Sequence, residues 1–438
     1  MNAYGLLLAL LAACAGSPST SEAEIDPNDT TIPIEDVATY PQPGTSLPGS
    51  VSFAPNGGPI LFLDSADGSL TRQLYAFDEE TGVRRQVVEP PGGGVTEKGL
   101  SLDEQLRRER LRERGLGITQ YRWSSEGERM LIPIRGELYV QDGVEGELRL
   151  IVAKEAGDAL YPQFSRDGEQ LAFVRDDEVY VVSSAGGEPR QITSGARGTG
   201  KTHGLAEFVA QEEMSRQQGF WWSRDGQNIA FTLVDETHIP TYRIEHQGKQ
   251  DPTHEDHGYP FAGSENAKVK LAVVGALGGE PVWMDLTASG LIEPEYLARV
   301  HWMHDGSLIA EVQDRAQMRL DLVRLDPRTG RGSIVLTETS EVWINLHHIF
   351  HTFEDGSFLW ASERTGFRHL YIIGADGEVT RQLTDGKWMV DGLTAVDIDN
   401  RLVYFMGTRD GVTEQHLYSV PLAGGEIRKI TDEPGMHG

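Results

Sequence analysis

With 438 residues, 39% of them apolar, the chain is long enough for one large repeat domain or two to three ordinary ones, and its 50 glycines make it rich in turns. Its 67 acidic against 39 basic residues give a net charge of −28, which opposes binding to nucleic acid or an anionic membrane surface, since phosphates would be repelled. The one cysteine, Cys14, excludes an internal disulfide and a cysteine-based zinc site.

The chain opens on an apolar run, Leu6 to Ala13, too short to span a bilayer as a helix. It ends in Leu11-Ala12-Ala13-Cys14, which resembles the bacterial lipoprotein signal, whose cysteine is lipidated and becomes the new N-terminus. No Lys or Arg precedes the run, a departure from that pattern; an ordinary cleaved signal peptide or a misassigned start are the alternatives. Residues 1–14 are therefore read as a lipoprotein-type signal with Cys14 as the lipidation site, and residues 15–45 as a polar tether. The expectation is an exported protein of the bacterial cell envelope that touches the membrane only through its lipid anchor.

From residue 46 to 438 the sequence reads as short strands and turns that repeat. The module is an aromatic or apolar residue, a polar turn ending in Gly, two strands, a Gly-containing turn and a last strand. Clear copies are WSSEGERMLIPIRGELYVQDGVEGELRLIV, FSRDGEQLAFVRDDEVYVVSSAGGEPRQIT and FEDGSFLWASERTGFRHLYIIGADGEVTRQLTDG. Ser-x-Asp-Gly closes a tight hairpin, because the Asp side chain bonds local backbone and Gly accepts positive φ. Seven recognisable copies predict an all-β fold, a β-propeller of four-stranded blades with short helical insertions.

Two segments break the rhythm. Ser101 to Gly115 is a charged helix former with Ser101 as N-cap, an excursion between the first and second blades. Asp235 to Ala267, inside the fourth blade, carries His238, His246, His254 and His257. No pair of these has i, i+4 spacing on a convincing helix, so a solvated loop or partner-binding arm is favoured over a metal site, and no cofactor is implied.

Between the third and fourth blades lies GARGTGKT, Gly195 to Thr202, which fits G-x-x-x-x-G-K-[ST], the loop that cradles nucleotide phosphates. A run ending in Asp235 and Glu236 stands where a magnesium-binding carboxylate would be expected. Context argues against the motif. The strand before it, Pro189 to Thr193, is the last of a blade, and Ile229 to Asp235 is itself a repeat strand. The helix after it is expected only from about Leu205 to Gln217 before Trp221-Trp222-Ser223-Arg224-Asp225-Gly226 begins the next blade.

That helix holds Phe208-Val209, Glu212-Glu213 and, beyond it, WWSRDG. With Asp235-Glu236-Thr237-His238-Ile239-Pro240, the segment Tyr259 to Asn266 and the segment Ser362 to Leu370, it resembles the dipeptidyl peptidase IV family of serine exopeptidases, over roughly Val51 to Gly438. In that family a helix inserted in the propeller carries two glutamates and is followed by W-W-S-P-D-G. The resemblance implies eight blades and a role for Glu212 and Glu213 in holding the ammonium of a peptide N-terminus. Paired carboxylates suit that task, because a peptide α-amine titrates near pH ~8 and is cationic at neutral pH. Anchoring the amine at a fixed distance from a nucleophile lets only the bond two residues along react. The family also sets an arginine against the substrate carbonyl; Arg107, Arg108, Arg110, Arg112 and Arg114 lie in the excursion, and the sequence does not choose among them.

Family members carry their Ser-Asp-His triad in a following α/β-hydrolase domain, with the serine in G-x-S-x-G. No G-x-S-x-G occurs in these 438 residues. The expectation is a front portion without its nucleophile, a fragment, truncation or split gene, inactive as a peptidase alone and served by a hydrolase domain or partner chain. A homodimer is also open. The rival reading is a non-catalytic exported propeller lipoprotein that acts as a protein- or peptide-binding scaffold.

Overall fold

The computed structural model describes residues 32–40, 47–94, 100–246, 253–290 and 295–438. Cys14 and the whole signal segment lie outside them, as does most of the tether. Within the tether, Ile34–Ala38 forms a short helix, α1, preceded by Pro33 and carrying Glu35 and Asp36 in its first turn, both favourable at a helix start.

The rest is strand. Among the described residues, seven sheets follow one another, each built on a path of four antiparallel strands in chain order, with a fifth strand added to the first and to the fourth, and a separate two-stranded hairpin interrupts the fourth. This is the all-β blade repeat expected of a propeller. Two compact units divide the chain, residues 1–159 with 184–186, and residues 160–183 with 187–438.

The first unit contains two blades. Their middle strands, Ile60–Ser65 with Thr71–Phe77 and Arg129–Ile134 with Glu137–Asp142, bury Leu61, Leu63, Leu74, Met130 and Ile132 against one another. The excursion forms helix α2, Leu102–Arg110, whose start is capped as expected: the Glu104 N–H donates to Ser101 Oγ at 3.2 Å. The chain then returns to the first blade, where Leu116–Gly117 pairs in parallel with Thr71 and Arg72. Gly117 is required there: its φ is +73°, and a Cβ would stand 2.5 Å from the Arg72 carbonyl oxygen.

The second unit contains five blades, beginning with Leu160–Phe164, Gln170–Arg175, Glu178–Ser183 and Arg190–Gln191. The Ser-x-Asp-Gly turns close as their chemistry dictates. Ser165 Oγ donates to Asp167 Oδ1 at 2.6 Å, and Ser223 Oγ to Asp225 Oδ1 at 2.6 Å. A second device recurs in three blades. The threonine of the Q-I-T, Q-L-T and K-I-T endings accepts a backbone N–H of the third strand and bonds the side chain just before it. Thr193 does so with Val179 and Glu178, Thr384 with Leu370 and His369, and Thr431 with Leu417 and His416. It clips each outer strand to the blade where few ladder bonds remain.

The insertion in the fourth blade folds as a hairpin, Thr241–His246 against Thr253–Gly258, so it is an ordered arm rather than a solvated loop. Two of its histidines have separate surroundings: His238 Nε2 lies 3.0 Å from the Asn266 carbonyl oxygen and His257 Nδ1 3.0 Å from Glu255 Oε1.

Candidate peptide-amine site

Within the GARGTGKT segment, backbone donors at its start are taken by the protein's own carboxylates. Glu178, fully buried, accepts from the Ala196 N–H at 2.6 Å and the Arg197 N–H at 3.3 Å, as well as from Thr193 Oγ1 at 2.7 Å and His203 Nδ1 at 2.8 Å. Burial alone would raise this carboxyl, but the His203, Thr193 and Ala196 hydrogen bonds outweigh it and lower it to about 2. An internal anion thus occupies the place a phosphate would need. Lys201 is equally committed, its Nζ 3.1 Å from Asp235 Oδ2, so the two motif residues that would face nucleotide and magnesium neutralise each other. Lys201–His203 is not a helix start but a strand paired with Leu233–Asp235. Titration of Mg–ATP by calorimetry is expected to give no saturable heat, in wild type or in Lys201→Ala. Saturable binding that Lys201→Ala abolishes would restore the nucleotide reading.

Beyond this strand the chain makes helix α3, Phe208–Glu212, with Glu213 as its C-cap. It is shorter than the span from Leu205 to Gln217 expected from sequence, for two reasons. Leu205 and Gln218 pair across its base as a β-bridge, which leaves room for little more than one turn. Ser215 then takes φ +53°, a conformation that stops a helix, and the Arg216 N–H closes the turn on the Ala210 carbonyl at 2.9 Å.

Side-chain spacing decides what this turn presents. Ala206, Ala210 and Met214, four apart, share one face and pack against Tyr296 and Ala298. Glu212, at the end of the helix, and Glu213, its C-cap, are exposed. Neither carboxylate has a hydrogen-bond or ion-pair partner among the described residues. Two adjacent carboxylates without cations, on a rigid turn, can accept several N–H bonds from one ammonium.

Rigidity comes from a pair that the sequence reading missed. Glu207, the residue before α3, and Arg216, just after the turn, form a buried ion pair at 2.7 Å with side chains 4% and 3% exposed. Arg216 also donates through Nε to the Leu297 carbonyl and through Nη1 to the Gln218 carbonyl, both at 3.1 Å. The legible signal is a glutamate and an arginine flanking the turn, Glu207 before it and Arg216 after it. On the outer side, the Phe208 ring meets Tyr259 edge-on at 5.0 Å, and Tyr259 in turn packs on Phe261 and on Tyr242 of the arm. Asn266, at the end of the same segment, donates to Glu295 Oε1 at 3.0 Å.

In the first unit, the candidate arginines Arg107 and Arg108 are committed. Arg107 places Nε and Nη2 on the Glu104 carboxylate at 2.6 and 2.7 Å, and Arg108 Nε reaches the same group at 3.0 Å. Burial works against the Arg107 charge, but Glu104 and Glu113 reverse that effect and hold it firmly protonated. Arg112 and Arg114 are exposed, which keeps them available, and Arg110 is partly buried.

Comparison with known proteins agrees with this architecture. The family model described as the dipeptidyl peptidase IV (DPP IV) N-terminal region matches residues 121–438. Human dipeptidyl peptidase 8 is 27% identical over 426 residues, covering 77% of this chain and 47% of that protein. A probable dipeptidyl peptidase 4 of Aspergillus fumigatus is 28% identical over 316 residues, covering 68% of this chain and 40% of its own length. This chain therefore spans less than half the length of these relatives. The crystal structure of Porphyromonas gingivalis dipeptidyl peptidase 4 superposes with a TM-score of 0.72 over 93% of this chain and 56% of that one, at 20% identity, which establishes a shared fold. By the extent of the family match, the chain belongs to the family of the dipeptidyl peptidase IV N-terminal region.

Proposed function

We propose that this chain is the propeller portion of a dipeptidyl peptidase IV-like exopeptidase, and that it holds the N-terminal ammonium of a peptide on Glu212 and Glu213. The observation that carries this reading is the pair itself: two neighbouring carboxylates, exposed and without partners among the described residues, on a turn clamped by the buried Glu207–Arg216 pair. Solvated surface glutamates need no such clamp; a distance gauge does. The nucleophile would be supplied by a hydrolase domain or partner chain, to which the propeller would gate access. Export and lipid anchoring through Cys14 belong to the same reading.

The test uses this chain. Calorimetry with Ala-Pro amide is expected to show saturable binding that its N-acetylated form lacks. Glu212→Gln and Glu213→Gln are each expected to weaken it about tenfold, the value of one charge-assisted hydrogen bond. Equal binding of the acetylated peptide, or no effect of either substitution, would sink the amine-anchor reading.

A further inference from the structure

A cavity of about 300 Å³ opens in the fifth and sixth blades, walled by Glu311, Glu338, Trp343, His347, Trp360 and Arg364 among others. Most of its polar groups are already satisfied. Glu338 accepts from Trp360 Nε1, Ser362 Oγ and Arg364 Nη2 at 3.0, 2.9 and 2.6 Å. Glu363, also in the wall, takes Asn345 Nδ2 at 2.9 Å and Arg368 Nη2 at 3.3 Å. His347 uses both nitrogens, Nε2 with the Ala361 carbonyl and Nδ1 with the Ile349 N–H, and burial pushes it down to about 4, so it stays neutral.

Glu311 differs. It is 1% exposed, and one oxygen, Oε1, accepts from His301 Nε2 at 2.8 Å. Its other oxygen has no hydrogen-bond partner among the described residues. A buried carboxylate with an unused oxygen is costly unless something donates to it. Arg299 offsets part of its charge, but its Nη atoms are given to the Ala298 carbonyl and to His348. The wall carries three carboxylates, and its one guanidinium, Arg364, is spent on Glu338. Two indole rings complete it, Trp360 buried and Trp343 half-exposed, and the faces of such rings attract cations.

We propose that this cavity binds an alkylammonium group, its charged head on Glu311 and its aliphatic stem along Trp343. The chemistry is that of a primary amine on a flexible chain, whether a free amine or a lysine side chain. The net charge of −28 favours the approach of such cations. The site is separate from Glu212 and Glu213, although Leu346 belongs both to the cavity wall and to the apolar cluster beneath α3. Its existence does not depend on the amine-anchor reading.

The experiment is calorimetry on the whole chain with n-butylammonium, and with n-butanol and butyrate as neutral and anionic isosteres. Saturable binding is expected for the amine alone, weakened at least tenfold by Glu311→Gln and several-fold by Trp343→Ala. The titrations are repeated in Glu212→Gln/Glu213→Gln, which removes the ammonium site proposed on α3, and the Glu311-dependent binding should persist there. Nα-acetyl-lysine amide, which has no free α-amine, then separates the sources: binding supports a lysine side chain, and its failure beside butylammonium binding supports a free amine. The proposal is overturned if no probe saturates, if butanol or butyrate binds as well as the amine, or if Glu311→Gln changes nothing. It is also overturned if the Glu212/Glu213 variant abolishes binding, since the amine would then sit on α3. Should Glu311→Gln fail to fold by circular dichroism, the isosteres and Trp343→Ala decide.

Discussion

Glu178→Ala is expected to destabilise the second unit by about 3–5 kcal/mol, the usual cost of breaking a buried charged pair from one side. Glu178 is fully buried and gathers two backbone N–H groups, a hydroxyl and an imidazole. Removing it leaves Thr193 Oγ1, His203 Nδ1 and the Ala196 N–H without an acceptor in a place water does not reach. His203 has no slack to absorb the loss: its Nε2 is already buried and unpartnered, and the ring lies edge-on to Phe231 at 5.2 Å. Thermal unfolding should fall by roughly 5–10 °C. A fall below about 2 °C would mean that the loop repacks around the gap. The same carboxylate sets a pH window. Its folded value, about 2, lies below the ordinary 4.5, so its stabilisation is complete above 4.5 and is lost as pH falls toward 2. Glu178→Gln, which keeps the shape and drops the titration, should show a shallower loss of melting temperature across that window than wild type.

Why the sequence yielded some of this and not the rest follows from range. The blades were legible because their determinants are local and repeated: alternating strands, and turns such as Ser165-Arg166-Asp167-Gly168 whose hydrogen bonds span two residues. The failure of GARGTGKT was legible from context alone, but its cause was not, since Glu178 precedes the loop by some twenty positions and nothing in its own strand marks it as an internal anion. The glutamates of α3 are legible through resemblance alone, and both are exposed. The helix is shorter than its sequence suggests because the bridge between Leu205 and Gln218 depends on neighbouring strands, where Thr232 Oγ1 donates to the Leu205 carbonyl at 2.8 Å. Glu311 escaped notice for the same reason: a strand glutamate looks like a solvated one until its neighbours are in place.

The Glu207–Arg216 pair should behave differently from an ordinary salt bridge when taken apart. Glu207→Ala strands a buried guanidinium and Arg216→Ala a buried carboxylate, and each is expected to cost about 3–5 kcal/mol. Replacing both at once by leucine and methionine is expected to cost less than either single change, because no uncompensated charge remains. A double-mutant cycle on thermal or urea unfolding measures this directly, and purely additive effects would show that the two residues do not act as a pair. Arg216→Lys should rescue little, because the guanidinium uses three nitrogens in three directions, to Glu207, Gln218 and Leu297, and one ammonium cannot reproduce that fork. The double apolar variant also separates stability from function. It should fold while losing the ties to Gln218 and Leu297 that fix the turn, so Ala-Pro amide binding should weaken although Glu212 and Glu213 remain. If binding in that variant matches wild type, the clamp serves stability alone and the carboxylates find their geometry without it.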